Sequence, residues 1–134
     1  MRTHSKDPQK RAEQKRTGWT DAETQALIRC YETMLELQRA GRLGRAQGQT
    51  SKAQMRRTFL ATHAPHRSPG SFEAKCMNLS AVRRDLGLPI VDGYKPAANM
   101  SQSCRAIAWA RWAPIEQVGQ ALQDHGKRSV GGDR

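Results

Sequence analysis

The stretch from Arg67 to Gln102, RSPGSFEAKCMNLSAVRRDLGLPIVDGYKPAANMSQ, decides the fold. Ser68 can cap a helix with its side-chain oxygen, and Pro69 suits the first helical position, where an N–H has no intrahelical partner to lose. Phe72, Cys76, Leu79, Val82 (with Arg83) and Leu86 recur at three- and four-residue spacing, which predicts one buried stripe. Gly87 can take the left-handed conformation that closes a helix, and Pro89 prevents its continuation. Away from the stripe, Ser71, Lys75, Asn78 and Arg84 are expected to face outward, small polar and cationic groups within reach of a nucleic acid. The residues that follow, 91–102, are rich in Pro, Gly and Asn. They predict a turn-laden arm that packs back on the helices through Tyr94.

Upstream, Thr20 with Glu23 forms a capping box, and Leu27, Ile28, Tyr31, Met34 and Leu35 make the core stripe of a first helix ending near Gly41. Asp21, Glu23, Glu32 and Glu36 against the single Arg29 make this helix acidic, so it should face away from a polyanion. From residue 39 to 67 the sign reverses. Arg39, Arg42, Arg45, Lys52, Arg56, Arg57 and Arg67 occur there without one Asp or Glu. That segment contains a loop with Gly41, Gly44 and Gly48, then a second helix capped by Ser51 with Gln54 and burying Met55, Phe59 and Leu60. Such a run is either a solvated face or a phosphate-binding one. The whole chain has 23 Lys and Arg against 12 Asp and Glu, a net charge of +11, which favours polyanionic partners and speeds encounter with them.

The ends read differently. Residues 1–18 hold six bases, two acids and almost no large apolar side chain, the composition of a disordered basic arm that either solubilises the chain or tracks phosphates. A helical pair is expected over 103–125. Ser101 or Ser103 starts its first member with Ile107, Ala108 and Trp112 inward, and Pro114 opens the second with Ile115, Val118 and Leu122 inward. Residues 126–134 read as a disordered tail. Trp109 and Trp112 are expected in the core or against a protein partner rather than stacked on bases.

The middle of the chain resembles a known family. GSFEAKCMNLSAVRRDLGLPIVDGYKP is similar to a small helical module found ahead of nuclease domains, often HNH-type, in bacterial restriction-like proteins. Gly70, Ser71, Glu73, Lys75, Asn78–Val82, Leu86–Pro89, Gly93–Pro96 and Asn99 fit its pattern, and Trp19, Thr20, Glu23 and Leu27 fit its opening helix. The resemblance spans about residues 19–102 and implies DNA binding, with no nuclease domain expected in residues 103–134. Trp19-Thr20, Glu23 and Leu27, with Arg67-Ser68 and Phe72, also resemble the Myb/SANT three-helix pattern, whose third helix reads DNA. Cys76 stands where that pattern has a tryptophan, and Glu73 where a DNA-contacting base would be welcome.

Chemistry-bearing motifs are sparse. His63 and His66 sit in a Pro-containing loop with no close Cys, Asp or Glu, so hydrogen bonding or phosphate contact is expected of them rather than a metal site. There is no P-loop, dinucleotide fingerprint or nucleophile elbow. Three widely separated cysteines read as buried thiols in a reducing compartment, and no apolar run approaches the roughly 20 residues that span a bilayer. The expectation is an all-α, cytoplasmic, non-enzymatic protein without cofactor or metal. It has a compact three-helix core (Myb/SANT-like or helix-turn-helix-like), an extended arm and two short C-terminal helices. Arg42, Arg45, Lys52, Arg56, Arg57, Arg67 and Lys95 would meet duplex DNA phosphates, with Ser68 and Ser71 at a helix N-terminus, and Lys75, Asn78 and Arg84 nearer the bases, unless Asn78 instead makes a helix-internal hydrogen bond that fixes the following arm. RNA is an alternative polyanion, and a protein partner could dock through Trp109, Trp112 and Tyr94.

Overall fold

Tyr31 stands at the centre of the molecule, fully buried, on the first of four helices. The computed structural model describes residues 18–113. Within them α1 is Asp21–Arg39, α2 is Lys52–His63, α3 is Pro69–Asp85 and α4 is Gln102–Trp112. The described fold is all-α. Its one strand-like feature is an isolated bridge between Leu43 and Thr50. The basic arm up to residue 17, the helix expected from Pro114 and the tail from 126 lie outside the described residues.

Each helix starts on a side-chain cap. Thr20 and Glu23 close a reciprocal box on α1, Ser51 accepts from Gln54 N–H at α2, Ser68 from Ser71 N–H at α3, and Ser101 from Cys104 N–H at α4. Helix α3 ends as the Gly/Pro punctuation requires, with Leu86 as C-cap and Gly87 at φ 73°. Helices α1, α3 and α4 pack on one another, and α2 closes one side against α1 and α3.

Two aromatic groups fill the core. At one end Trp19, Phe59 and Phe72 form a chain, with ring centroids 6.0 and 5.5 Å apart. At the other, Tyr31 lies 5.5 Å from Trp112 and 6.5 Å from Tyr94. Between them Leu27, Met34, Cys76, Leu79 and Val82 are buried. The stripe expected for α3 is therefore the core, but burial spreads wider and takes in Asn78, Ser80 and Ala81 as well.

The arm over residues 88–101 folds back as expected, and polar ties hold it. Val91 N–H donates to the Tyr31 hydroxyl at 3.0 Å, and that hydroxyl shares a 2.6 Å hydrogen bond with Ser80. Gln38 donates to Ile90 C=O and accepts from Asp92 N–H. Arg83 donates to Pro89 C=O and lies over the Trp112 ring. Tyr31→Phe leaves the buried Val91 N–H without an acceptor. It is expected to cost about 1–3 kcal/mol in urea unfolding of the full chain. A loss below about 0.5 kcal/mol would show that the hydroxyl does not organise the arm.

Candidate nucleic-acid interface

The acid-free segment 39–67 begins at the end of α1, and its loop is built as a closed unit. Gly44 N–H donates to Thr50 C=O and Thr50 N–H to Arg42 C=O, both at 2.9 Å. The Gln49 side chain spans the interior, accepting from Ala46 N–H and donating to Gly41 C=O at 2.9 and 3.0 Å. Gly48 sits at φ 83°, which favours glycine, and a Cβ on Gly44 would displace the Gln49 carboxamide from its bracing position. Arg42, Arg45, Ala46 and Gln47 point into solvent from this frame.

The twelve predicted contact residues divide sharply. Arg42, Arg45 and Arg57 are exposed and have no carboxylate partner among the described residues, as has the neighbouring Arg39. Lys95 is also exposed, on the arm. Ser68 is exposed and serves as the cap of α3.

Others are already engaged. Arg56 pairs with Glu73 at 3.2 Å. Arg67 bonds Glu23 and the Gly18 carbonyl, each at 2.9 Å, so this arginine is a structural tie rather than an open phosphate contact. Lys52 donates to Asp92 C=O at 2.7 Å and lies over the Tyr94 ring, which fastens the arm to the start of α2. Arg84 remains exposed beside Asp85, 3.3 Å away. Ser71 accepts the Trp19 indole N–H at 2.9 Å, and Lys75 is half-buried against Cys104.

Asn78 departs from the outward-facing reading and instead fixes the arm, the other role its sequence position allowed. It is buried and does not face outward. Its amide donates to Ala97 C=O at 2.7 Å and Asn99 C=O at 3.2 Å, because the returning arm covers that side of α3. From Lys75 to Arg83 no residue of α3 is exposed, so the face that would have entered a groove is inside the protein.

Tyr94 and Trp112 take the inward positions expected of them, which leaves them closed to a docking partner, and Trp112 donates its indole N–H to Glu32 at 2.8 Å. Trp109 alone stays exposed, at 40%, with the Arg105 guanidinium over its ring. His63 is the last residue of α2 rather than a loop residue and lies against Phe59, while His66 reaches Glu23 at 3.2 Å. No three of His, Cys, Asp and Glu converge among the described residues.

Two of the four carboxylates of α1, Glu23 and Glu32, are engaged within the fold, while Asp21 and Glu36 are exposed. Burial alone would raise the Glu23 pKa, but the Thr20 N–H, Arg67 and His66 together outweigh it and lower the value. Glu32 is held below the ordinary range chiefly by its hydrogen bonds with Arg111, at 2.8 and 2.9 Å. Burial pushes the Cys30 thiol up to about 11 and Cys76 well up too, which keeps both protonated and unreactive. A cleft of about 590 Å³ opens beside the loop, bounded by Arg45, Lys52, Arg56, Glu73 and Tyr94. The loop brings Arg45 to this cleft, and Glu73 there pairs with Arg56.

Against protein families, curated proteins and solved structures the chain shows no match.

Two outcomes check this assignment of internal and external groups. Asn78→Ala is expected to cost about 1–3 kcal/mol and to open the chain near residues 97–99 to protease, with no change in any DNA sequence preference. Altered preference with unchanged stability would return Asn78 to the interface. For Glu23, the folded pKa lies below its unfolded value of 4.5, so its contribution is present above that pH and fades as pH falls through the folded value. The stability gap between the full chain and Glu23→Gln should therefore narrow below about pH 4 in a urea series. A constant gap from pH 7 to pH 3 would contradict the ion-pair account.

Proposed function

We propose that this protein is a small, non-enzymatic duplex-DNA-binding protein of a bacterium, phage or plasmid. The observation that supports it best is the division of charge. Arg39, Arg42, Arg45 and Arg57 stay exposed and unneutralised in a segment without acids, while Glu23 and Glu32 are consumed inside the fold. Unpaired guanidinium groups suit phosphate oxygens because their planar fork presents two parallel donors. Affinity comes from these phosphate contacts and from counterion release. The likeness of residues 19–102 to the restriction-associated module points the same way. In this reading the first three helices are a Myb/SANT or helix-turn-helix relative whose third helix has been withdrawn into the core.

A second reading draws on Trp109. Its exposed indole, capped by Arg105, suits docking on a nuclease, polymerase or defence complex. Co-purification that survives nuclease digestion and is lost in Trp109→Ala would favour it.

The DNA reading is tested by fluorescence anisotropy of the full chain on a labelled duplex across a salt series. Four phosphate contacts predict a slope of log K against log salt near −4, and Arg42→Ala with Arg45→Ala and Arg57→Ala should flatten it by about 3. No binding at low salt, or a slope indifferent to these substitutions, would remove the reading.

A further inference from the structure

A charged surface reads a base sequence only if something rigid enters a groove, and the described helices offer little for that. Helix α3 is covered from Lys75 to Arg83, and its exposed first turns present Glu73, which phosphates repel. The exposed side of α2 carries Gln54, Arg57, Thr58, Ala61, Thr62 and His63, with Arg57 as its one permanent charge. The loop between α1 and α2 differs from both. Its projecting part, Gly44-Arg45-Ala46-Gln47-Gly48, alternates small residues with one long cation and one carboxamide.

We infer that this loop is the reading element and that it enters the DNA minor groove at A·T-rich sequence, with Arg45 leading and Arg42 beside it. The inference rests on the DNA reading above and assigns the groove. Three features support it. The minor groove is about 6 Å wide, which excludes a helix but admits a narrow turn of small residues. Narrow A·T tracts concentrate negative potential, and an arginine fits there better than a lysine because it sheds water more easily. The carboxamide of Gln47 can pair with the acceptors on the floor, adenine N3 and thymine O2, whereas the guanine amino group of a G·C pair blocks that approach.

Preorganisation separates this loop from an ordinary basic turn. Two backbone hydrogen bonds join its ends and the Gln49 side chain braces its interior, so binding orders side chains and little backbone. The guanidinium groups of Arg42 and Arg45 have no carboxylate to leave behind among the described residues. The A-form minor groove of duplex RNA is wide and shallow and would not grip such a turn, so DNA is the partner that fits.

Inosine distinguishes the grooves. An I·C pair keeps the major-groove pattern of G·C but lacks the amino group in the minor groove, where it presents like A·T. The full chain is titrated by anisotropy against three duplexes of matched length, with A·T, I·C or G·C at the central positions, and against an A·U RNA duplex. The expectation is that A·T and I·C bind alike and roughly fivefold or more tighter than G·C, with RNA weaker than A·T DNA. Arg45→Lys and Arg42→Ala/Arg45→Ala should each abolish that difference, with thermal melting unchanged because both side chains lie on the surface. Binding of I·C like G·C, equal binding of all three duplexes, or tighter binding of RNA overturns the groove assignment. A preference that survives Arg42→Ala/Arg45→Ala also overturns it, because the basic N-terminal residues would then be the readers. These outcomes leave the DNA reading standing, whereas absence of binding to every duplex at low salt removes both.

Discussion

One hydroxyl joins most of this molecule. Tyr31 comes from α1, bonds Ser80 on α3 and Val91 on the arm, and touches the rings of Trp112 on α4 and Tyr94 on the arm. A small core needs such a point, because four short helices and an irregular arm bury polar backbone that must find partners. Val91 N–H has its acceptor there, Pro89 C=O is served by Arg83, and Ala97 and Asn99 C=O by Asn78. The arm consequently behaves as a fifth element of the core, although it contains no regular structure. It also takes away the surface that α3 would otherwise have offered to a ligand.

Electrostatics follow from the same arrangement. Three arginines far apart in sequence are drawn to carboxylates that tie elements together: Arg67 to Glu23, Arg56 to Glu73 and Arg111 to Glu32. Glu23 and Arg67 are both largely shielded, and their pairing links the start of α1 to the entry of α3 beside Trp19. Each pairing removes one charge of either sign from the outer field. What remains is less than the count over residues 39–67 suggests, but it is concentrated on the loop, where no acid interleaves.

The parts of this fold legible in the sequence are those decided locally. Thr20 with Glu23, Ser51, Ser68 with Pro69, Ser101 and Gly87 each set a helix end through atoms within a few residues, so the pattern alone located the four described helices. The stripe of α3 was legible because its spacing is periodic. Asn78 was legible only as two alternatives, base contact or a tie to the arm, since whether that side of a helix is outer depends on a chain segment about twenty residues later returning over it. The same holds for Lys52, Arg56 and Arg67, whose partners lie 40, 17 and 44 residues away. Long-range pairing leaves no local periodicity. A clue to Asn78 existed in its composition: an amide amid otherwise apolar and small residues suits capture of stray carbonyls from an irregular strand.

The loop was read in the sequence from its charge, through Arg42 and Arg45, but its fixed shape was not, because its letters look permissive. Three glycines in eight residues suggest flexibility, and a flexible cationic loop would add only diffuse attraction to a polyanion. Gln49 changes that conclusion. Its carboxamide uses both its oxygen and its nitrogen on backbone within the loop, and it lies where a Cβ on Gly44 would be. The glycines are thus conditions of a fixed shape rather than signs of freedom. A fixed turn with arginines at its surface has already met most of the backbone entropy cost of binding before it meets a partner. On the proposed DNA reading, selectivity would belong with this turn for the same reason, since a mobile cation adapts to any phosphate, whereas a rigid one favours the groove whose width and potential match it.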